Sequence, residues 1–151
     1  MRADVEEIVY RSCLLLDEHE FDGYLALCTD DFRYTVQAYA PEIRREMVWL
    51  DHDKAGMKAL FVNLPRHFSD PAPLTRHATV YAVTFDASGA EATVVSALQV
   101  FRTLLDGGTT SLFAVGKLHD SVAVRDGRVA LSRRVVRLVT RDLGIGTHVP
   151  F

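Results

Sequence analysis

Six side chains could share acid–base chemistry if the fold brings them together: Asp30, Asp31, Tyr34, His77, Tyr81 and His119. A carboxylate whose pKa is raised by burial, set beside a tyrosine hydroxyl, can enolise a carbonyl compound. The candidate pocket residues on this reading are Asp31, Tyr34, His77 and Tyr81. Each also has a plainer explanation. Asp30-Asp31 follows a helical pattern and precedes a strand, where aspartates bond to backbone groups. Tyr34 and Tyr81 are good strand formers and need no other reason to be there.

Metal and nucleotide chemistry have less support. The six histidines, His19, His52, His67, His77, His119 and His148, fall in different segments, with no His-x-x-x-His pair and no Cys-x-x-Cys. Zinc-type sites depend on such spacings, so no metal site is expected. There is no Gly-x-x-x-x-Gly-Lys-Ser/Thr loop. Gly107-Gly108 lies between two strand patterns, and Gly144-x-Gly146 has no helix after it, so both read as turns.

The arginines near the end form a third group. Arg133, Arg134, Arg137 and Arg141 alternate with Val135, Val136, Leu138 and Val139. By the period of two, Arg133 and Arg137 share one face and Arg134 takes the other. Solvated charges on a sheet edge would guard against aggregation. A subunit interface is the functional alternative, because the guanidinium fork pairs with carboxylates and stacks on aromatics. The stretch from Leu143 to Phe151 is apolar and should bury itself, in this chain or in a partner. The expected interface residues are Arg133, Arg134, Arg137, Arg141, His148 and Phe151.

The elements that must position these groups can be read from periodicity. Val5, Ile8, Val9, Ser12/Cys13 and Leu16 make one face of a helix over residues 4–19. Phe21, Tyr24, Leu25 and Cys28 make a second, short one. Phe32 to Ala40 alternates as a strand, and Glu46 to Leu50 is a short return strand. Asp51 or Asp53 caps a third helix, with Ala55, Leu60, Phe61 and Leu64 as apolar positions and Pro65 as its stop. Residues 66–73 read as loop. Long strands follow, 75–86, 91–105, 110–125 and 128–141, joined by Gly-containing turns that predict antiparallel hairpins with bulges. Helices first and strands after predict an α+β domain spanning 1–151.

Composition sets outer limits. The chain has 151 residues, 48% hydrophobic and 25% charged, with a net charge of −3. That suits one globular domain and argues against nucleic acid as a partner. The charged, amphipathic start is unlike a secretory leader, and no stretch is long and apolar enough for a bilayer. Cys13 and Cys28 lack metal-type spacing and read as reduced, buried thiols, with a disulfide between the helices as the alternative. A cytoplasmic location is expected.

The run from Leu15-Leu16-Asp17 through Phe21-Asp22-Gly23-Tyr24-Leu25 to Asp30-Asp31-Phe32-Arg33-Tyr34 resembles the opening of ring-hydroxylating dioxygenase β subunits. Thr75-Arg76-His77, Val95-Ser96 with Phe101-Arg102, and Gly116-Lys117-Leu118-His119-Asp120 resemble later strands of that family. Arg125-Asp126-Gly127 resembles its last hairpin. Arg133-Arg134-Val135-Val136 and the stretch from Leu143 to Phe151 resemble its final strand and tail.

The resemblance implies a cone-shaped, strongly curved, mostly antiparallel sheet packed against three N-terminal helices, as in ketosteroid isomerase and scytalone dehydratase. It implies a small, structural subunit with no catalytic residue or cofactor of its own, in an oligomer with a large catalytic oxygenase subunit. That partner would carry the Rieske iron–sulfur cluster and the mononuclear iron, commonly as three large and three small chains with the small ones meeting as a trimer. A Rieske cluster needs two Cys and two His at spacings this chain lacks. A stand-alone isomerase- or dehydratase-like pocket enzyme is the alternative on the same fold. The substrate stays open, because monooxygenases of small sulfonates also use such subunits.

Overall fold

The computed structural model describes residues 1–67, 72–144 and 150–151. Residues 68–71 of the expected loop and the expected interface residue His148 lie outside the described residues.

Helix α1 spans Arg2–Asp17 and buries Val5, Ile8, Val9, Ser12, Cys13 and Leu16, the face that the spacing predicts. Helix α2, Phe21–Ala26, is two residues shorter than its apolar pattern. The sheet takes those residues instead: the Leu27 carbonyl accepts from the Leu131 N–H at 2.8 Å, and Cys28 pairs with Leu131. Strand β1 therefore starts at Cys28 and runs to Ala40, and β2 spans Arg45–Asp53.

Helix α3, Lys54–His67, is capped by Asp53, whose carboxylate accepts from the Gly56 N–H at 2.8 Å. Met57, Phe61 and Leu64 are its buried positions, whereas Ala55 is exposed. The helix continues two residues past Pro65. A proline removes a single N–H from the ladder, and in the last turn that loss does not end the helix.

Strands β3 Leu74–Phe85, β4 Glu91–Thr103, β5 Thr110–Arg125 and β6 Arg128–Leu138 complete one six-stranded sheet, ordered β2-β1-β6-β5-β4-β3. Every neighbouring pair is antiparallel except β1 and β6, which run parallel. The β5–β6 turn is Asp126-Gly127 with φ of 51° and 71°, the mirror-image turn that fits the right-handed twist of the strands. Register shifts at Val36/Gln37, Val80/Ala82, Val100/Phe101 and Ser121/Val122 are the bulges that the strand lengths predict.

Burial alternates along β4 to β6, so the sheet has an inner face against the helices and an outer face without them. Helix α1 lies on β3 and β6, and α3 lies on β1 and β2. The free edge of β3 is capped by α1: Asp17 accepts from the Arg76 N–H at 3.1 Å, and the Tyr10 hydroxyl from the Val80 N–H at 3.3 Å. Those amides are closed to another strand.

Gly116 leaves no room for a side chain between β5 and β6. A Cβ there would lie 2.4 Å from the Arg137 carbonyl oxygen, which is backbone and cannot swing away. Gly116→Ala is expected to cost about 3 kcal/mol, the upper range for overpacking. A urea midpoint equal to that of the unaltered protein would show that the two strands separate there without cost.

Candidate functional site

The inner face of the sheet carries an arginine and an aspartate at positions where alternation demands apolar residues. Arg134 precedes Val136 and Leu138 on the buried side of β6, and Asp120 lies between Leu118 and Val122 on the buried side of β5. They are directly opposed across the β5–β6 ladder. The Arg134 guanidinium donates from Nε and Nη2 to the two Asp120 oxygens, both at 2.8 Å. Its Nη1 donates to Ser12 Oγ on α1 at 2.9 Å, and Ser12 in turn donates to the Val9 carbonyl at 2.6 Å.

Both side chains are fully buried. Burial works against the Arg134 charge, but the Asp120 charge and hydrogen bonds outweigh it and hold the guanidinium protonated above its ordinary value. Arg134, expected at an interface, is thus an interior residue. A charge on the apolar side of a strand needs a partner of opposite sign on the same side, and the register shift at Ser121/Val122 brings Asp120 opposite Arg134.

The end of the chain fills the neighbouring space. Phe151, also expected at an interface, is buried in this chain, and its N–H donates to the Tyr34 hydroxyl at 2.9 Å. Its ring stacks with Phe113 at a centroid distance of 6.4 Å. The Pro150 carbonyl accepts from Arg76 Nη2, while Arg76 Nη1 donates to Asp17 at 2.7 Å. Arg76 and Asp17 thus tie β3 and α1 to the tail, a role that alternation along β3 alone does not reveal.

The four acid–base candidates do not converge. Tyr34 has no accessible surface, and burial pushes its phenol well above the ordinary tyrosine value. Asp31 is exposed and accepts from Thr29 Oγ1 at 2.6 Å, a contact with a side chain and not the bond to backbone that its position predicts. His77 and Tyr81 are exposed on β3, where His77 meets the Phe101 ring edge-on. These two do share a shallow open groove of about 540 Å³ with Tyr10, Asp17 and Arg76, beside the capped edge. In that groove Asp17 and Arg76 already neutralise each other.

The remaining arginines lie outside. Arg133 and Arg137 are exposed on the outer face of β6, and Arg141 is exposed and paired with Glu42. Among the described residues no group of three or more His, Cys, Asp or Glu is placed to hold a metal. Cys13 and Cys28 are free, buried thiols. Burial pushes both up, Cys28 to about 12.

Two outcomes follow. Asp120→Ala leaves a buried guanidinium unpaired and is expected to destabilise the fold by about 3–5 kcal/mol in urea unfolding. Joint replacement, Arg134→Met with Asp120→Leu, should restore most of that loss, and no recovery would mean that the charges themselves hold the helix to the sheet. Neither thiol should react with a disulfide reagent at pH 8 until the protein is unfolded. Rapid labelling of the native protein would contradict the burial.

The sequence of the SnoaL-like domain family matches residues 1–135. The β subunit of the methanesulfonate monooxygenase hydroxylase of Methylosulfonomonas methylovora is 40% identical over 97% of this chain and 84% of its own length. The β subunit of the 2-aminobenzenesulfonate 2,3-dioxygenase of an Alcaligenes species is 33% identical over 97% of this chain and 96% of its own. Among solved structures, the benzoate 1,2-dioxygenase β subunit of Burkholderia mallei superposes with a TM-score of 0.70 at 16% identity, covering 98% of this chain and 96% of that one. The fold is the α+β type that the resemblance implies, a mixed, mostly antiparallel six-stranded sheet with helices on one face, and the sheet is not closed. The chain belongs to the SnoaL-like domain family and, within it, to the β subunits of multicomponent oxygenases.

Proposed function

We propose that this chain is the non-catalytic, structural subunit of a Rieske-type non-haem iron oxygenase. The large partner subunit supplies the iron–sulfur cluster, the mononuclear iron and the substrate pocket, and three small chains meet as a trimer beside three large ones. The complex is cytoplasmic. Its substrate is an organosulfonate, a reading supported by the names of both curated relatives.

The observation that carries the non-catalytic role is the closed interior around the Arg134–Asp120 pair and Tyr34. In a pocket enzyme of this fold, reacting groups must face an accessible cavity. Here Tyr34 and Arg134 have no accessible surface and Asp120 has 2%. Every Asp120 and Arg134 contact described above is made within the chain. The groove beside β3 favours one second reading, a small-ligand site at His77 and Tyr81.

Light scattering of the chain co-expressed with its large subunit tests the role. A discrete mixed oligomer with iron in the large chain alone is expected. In that oligomer Asp31→Asn, Tyr34→Phe and His77→Ala should each leave turnover per complex within a few-fold. A loss of about a hundredfold or more, the scale of general acid–base catalysis, would place chemistry in this chain.

A further inference from the structure

Pro150 and Phe151 lie in the interior outside any strand, held there by side chains. Arg76 Nη2 donates to the Pro150 carbonyl, and the Phe151 N–H donates to the Tyr34 hydroxyl at 2.9 Å. That carbonyl and that N–H belong to one peptide bond. It is trans, so its oxygen and its hydrogen point to opposite sides. Arg76 stands on β3 and Tyr34 on β1, with β4, β5 and β6 between them in the sheet. One amide is thus gripped from two distant strands, while the Phe151 ring lies beside Phe113 of β5.

Buried main-chain groups are mostly paired within helices and sheets. Here both polar groups of the amide meet side chains, as those of a bound small molecule do. The grip also exceeds its occupant. Nε and Nη2 form one edge of a guanidinium, the edge with which Arg134 holds both Asp120 oxygens. On Arg76 that edge faces the tail. Nη2 is used, but the buried Nε has no hydrogen-bond partner among the described residues. The Arg76 side chain is only 1% accessible, so water does not serve in its place. Asp17 takes Nη1 and balances the charge, which leaves the open edge suited to a neutral acceptor.

We propose that Arg76, Tyr34 and Phe113 form a binding site for a neutral secondary amide with a phenyl ring two carbons from its nitrogen, and that the chain fills this site with its own Pro150–Phe151. The free edge of Arg76 donates to the carbonyl, Tyr34 accepts the N–H, and Phe113 flanks the ring. The tail is a ligand attached to its receptor, and the site binds without reacting. This assignment is independent of which partner subunit the chain joins.

Phe151→Ala in the whole chain removes the ring and with it the hold on the tail, and N-phenethylacetamide then serves as the probe. It should bind one to one and raise the thermal midpoint of this variant by about 3–6 °C at about ten times its Kd. The unaltered chain, whose site is filled, should not respond. Phenethyl acetate, the ester that lacks the N–H, should bind the variant about fivefold more weakly, and this preference should vanish when Tyr34→Phe is added. A ring place left by ordinary core packing would take toluene as readily and show no preference for the amide. If Phe151→Ala does not fold, Phe151→Leu keeps most of the apolar volume, and the amide should still raise its midpoint more than the ester does. Equal effects of amide, ester and toluene overturn the assignment, as does a midpoint that the amide leaves unmoved. A response of the unaltered chain as large as the variant's places the probe elsewhere and overturns it too.

Discussion

The Arg134–Asp120 pair is the constraint around which the other contacts are arranged. Two charges taken out of water carry a desolvation cost of several kcal/mol each, repaid only by near-ideal geometry and complete hydrogen bonding. The structure meets that demand with one bidentate contact between adjacent strands and one contact to α1. The pair therefore fixes three things together: the register of β5 on β6, the depth of α1 on the sheet, and the closure of the interior. The parallel register also sets Tyr34 level with Arg134. The tail's last described contact, from Phe151 to Tyr34, is thus built directly beside the ion pair.

A fold that can enclose a ligand has here enclosed its own side chains. The groups that would be useful in an acid–base pocket, a carboxylate, a phenol and a strong cation, are all present inside. They are spent on one another and on the backbone of the tail. His77 and Tyr81, by contrast, lie outside, along the margin of β3. Fold alone does not separate a pocket enzyme from a partner subunit.

Local patterns were the legible part of the sequence. The buried face of α1 follows its 3.6-residue period, and the β5–β6 hairpin follows from Asp126-Gly127. The parallel pairing of β1 with β6 was not legible, because residues about one hundred positions apart leave no local trace of one another. The same long-range pairing shortened α2. Its charge marks Arg134 as an interface residue, whereas parity puts it on the face opposite Arg133, and the structure follows parity. Asp31, His77 and Tyr81 have the right chemistry for a pocket, but a residue type carries no information on where its strand will point it. Phe151 was legible as buried, though not in which chain.

That parallel pairing also sets a schedule. Synthesis delivers α1, α2 and the β1–β2 hairpin first, yet the central neighbour of β1 is the last strand made. Until β6 leaves the ribosome, Phe32, Tyr34 and Val36 lack the neighbouring strand beside which they pack, and α1 has no Arg134 to hold Ser12. Closing so long a loop costs entropy before any contact rewards it, which slows folding. The two halves of the sheet, one hairpin and one four-stranded meander, can each form locally and then zip along a single seam. The seam between β1 and β6 thus closes last, and it carries Arg133 and Arg137 on its outer side.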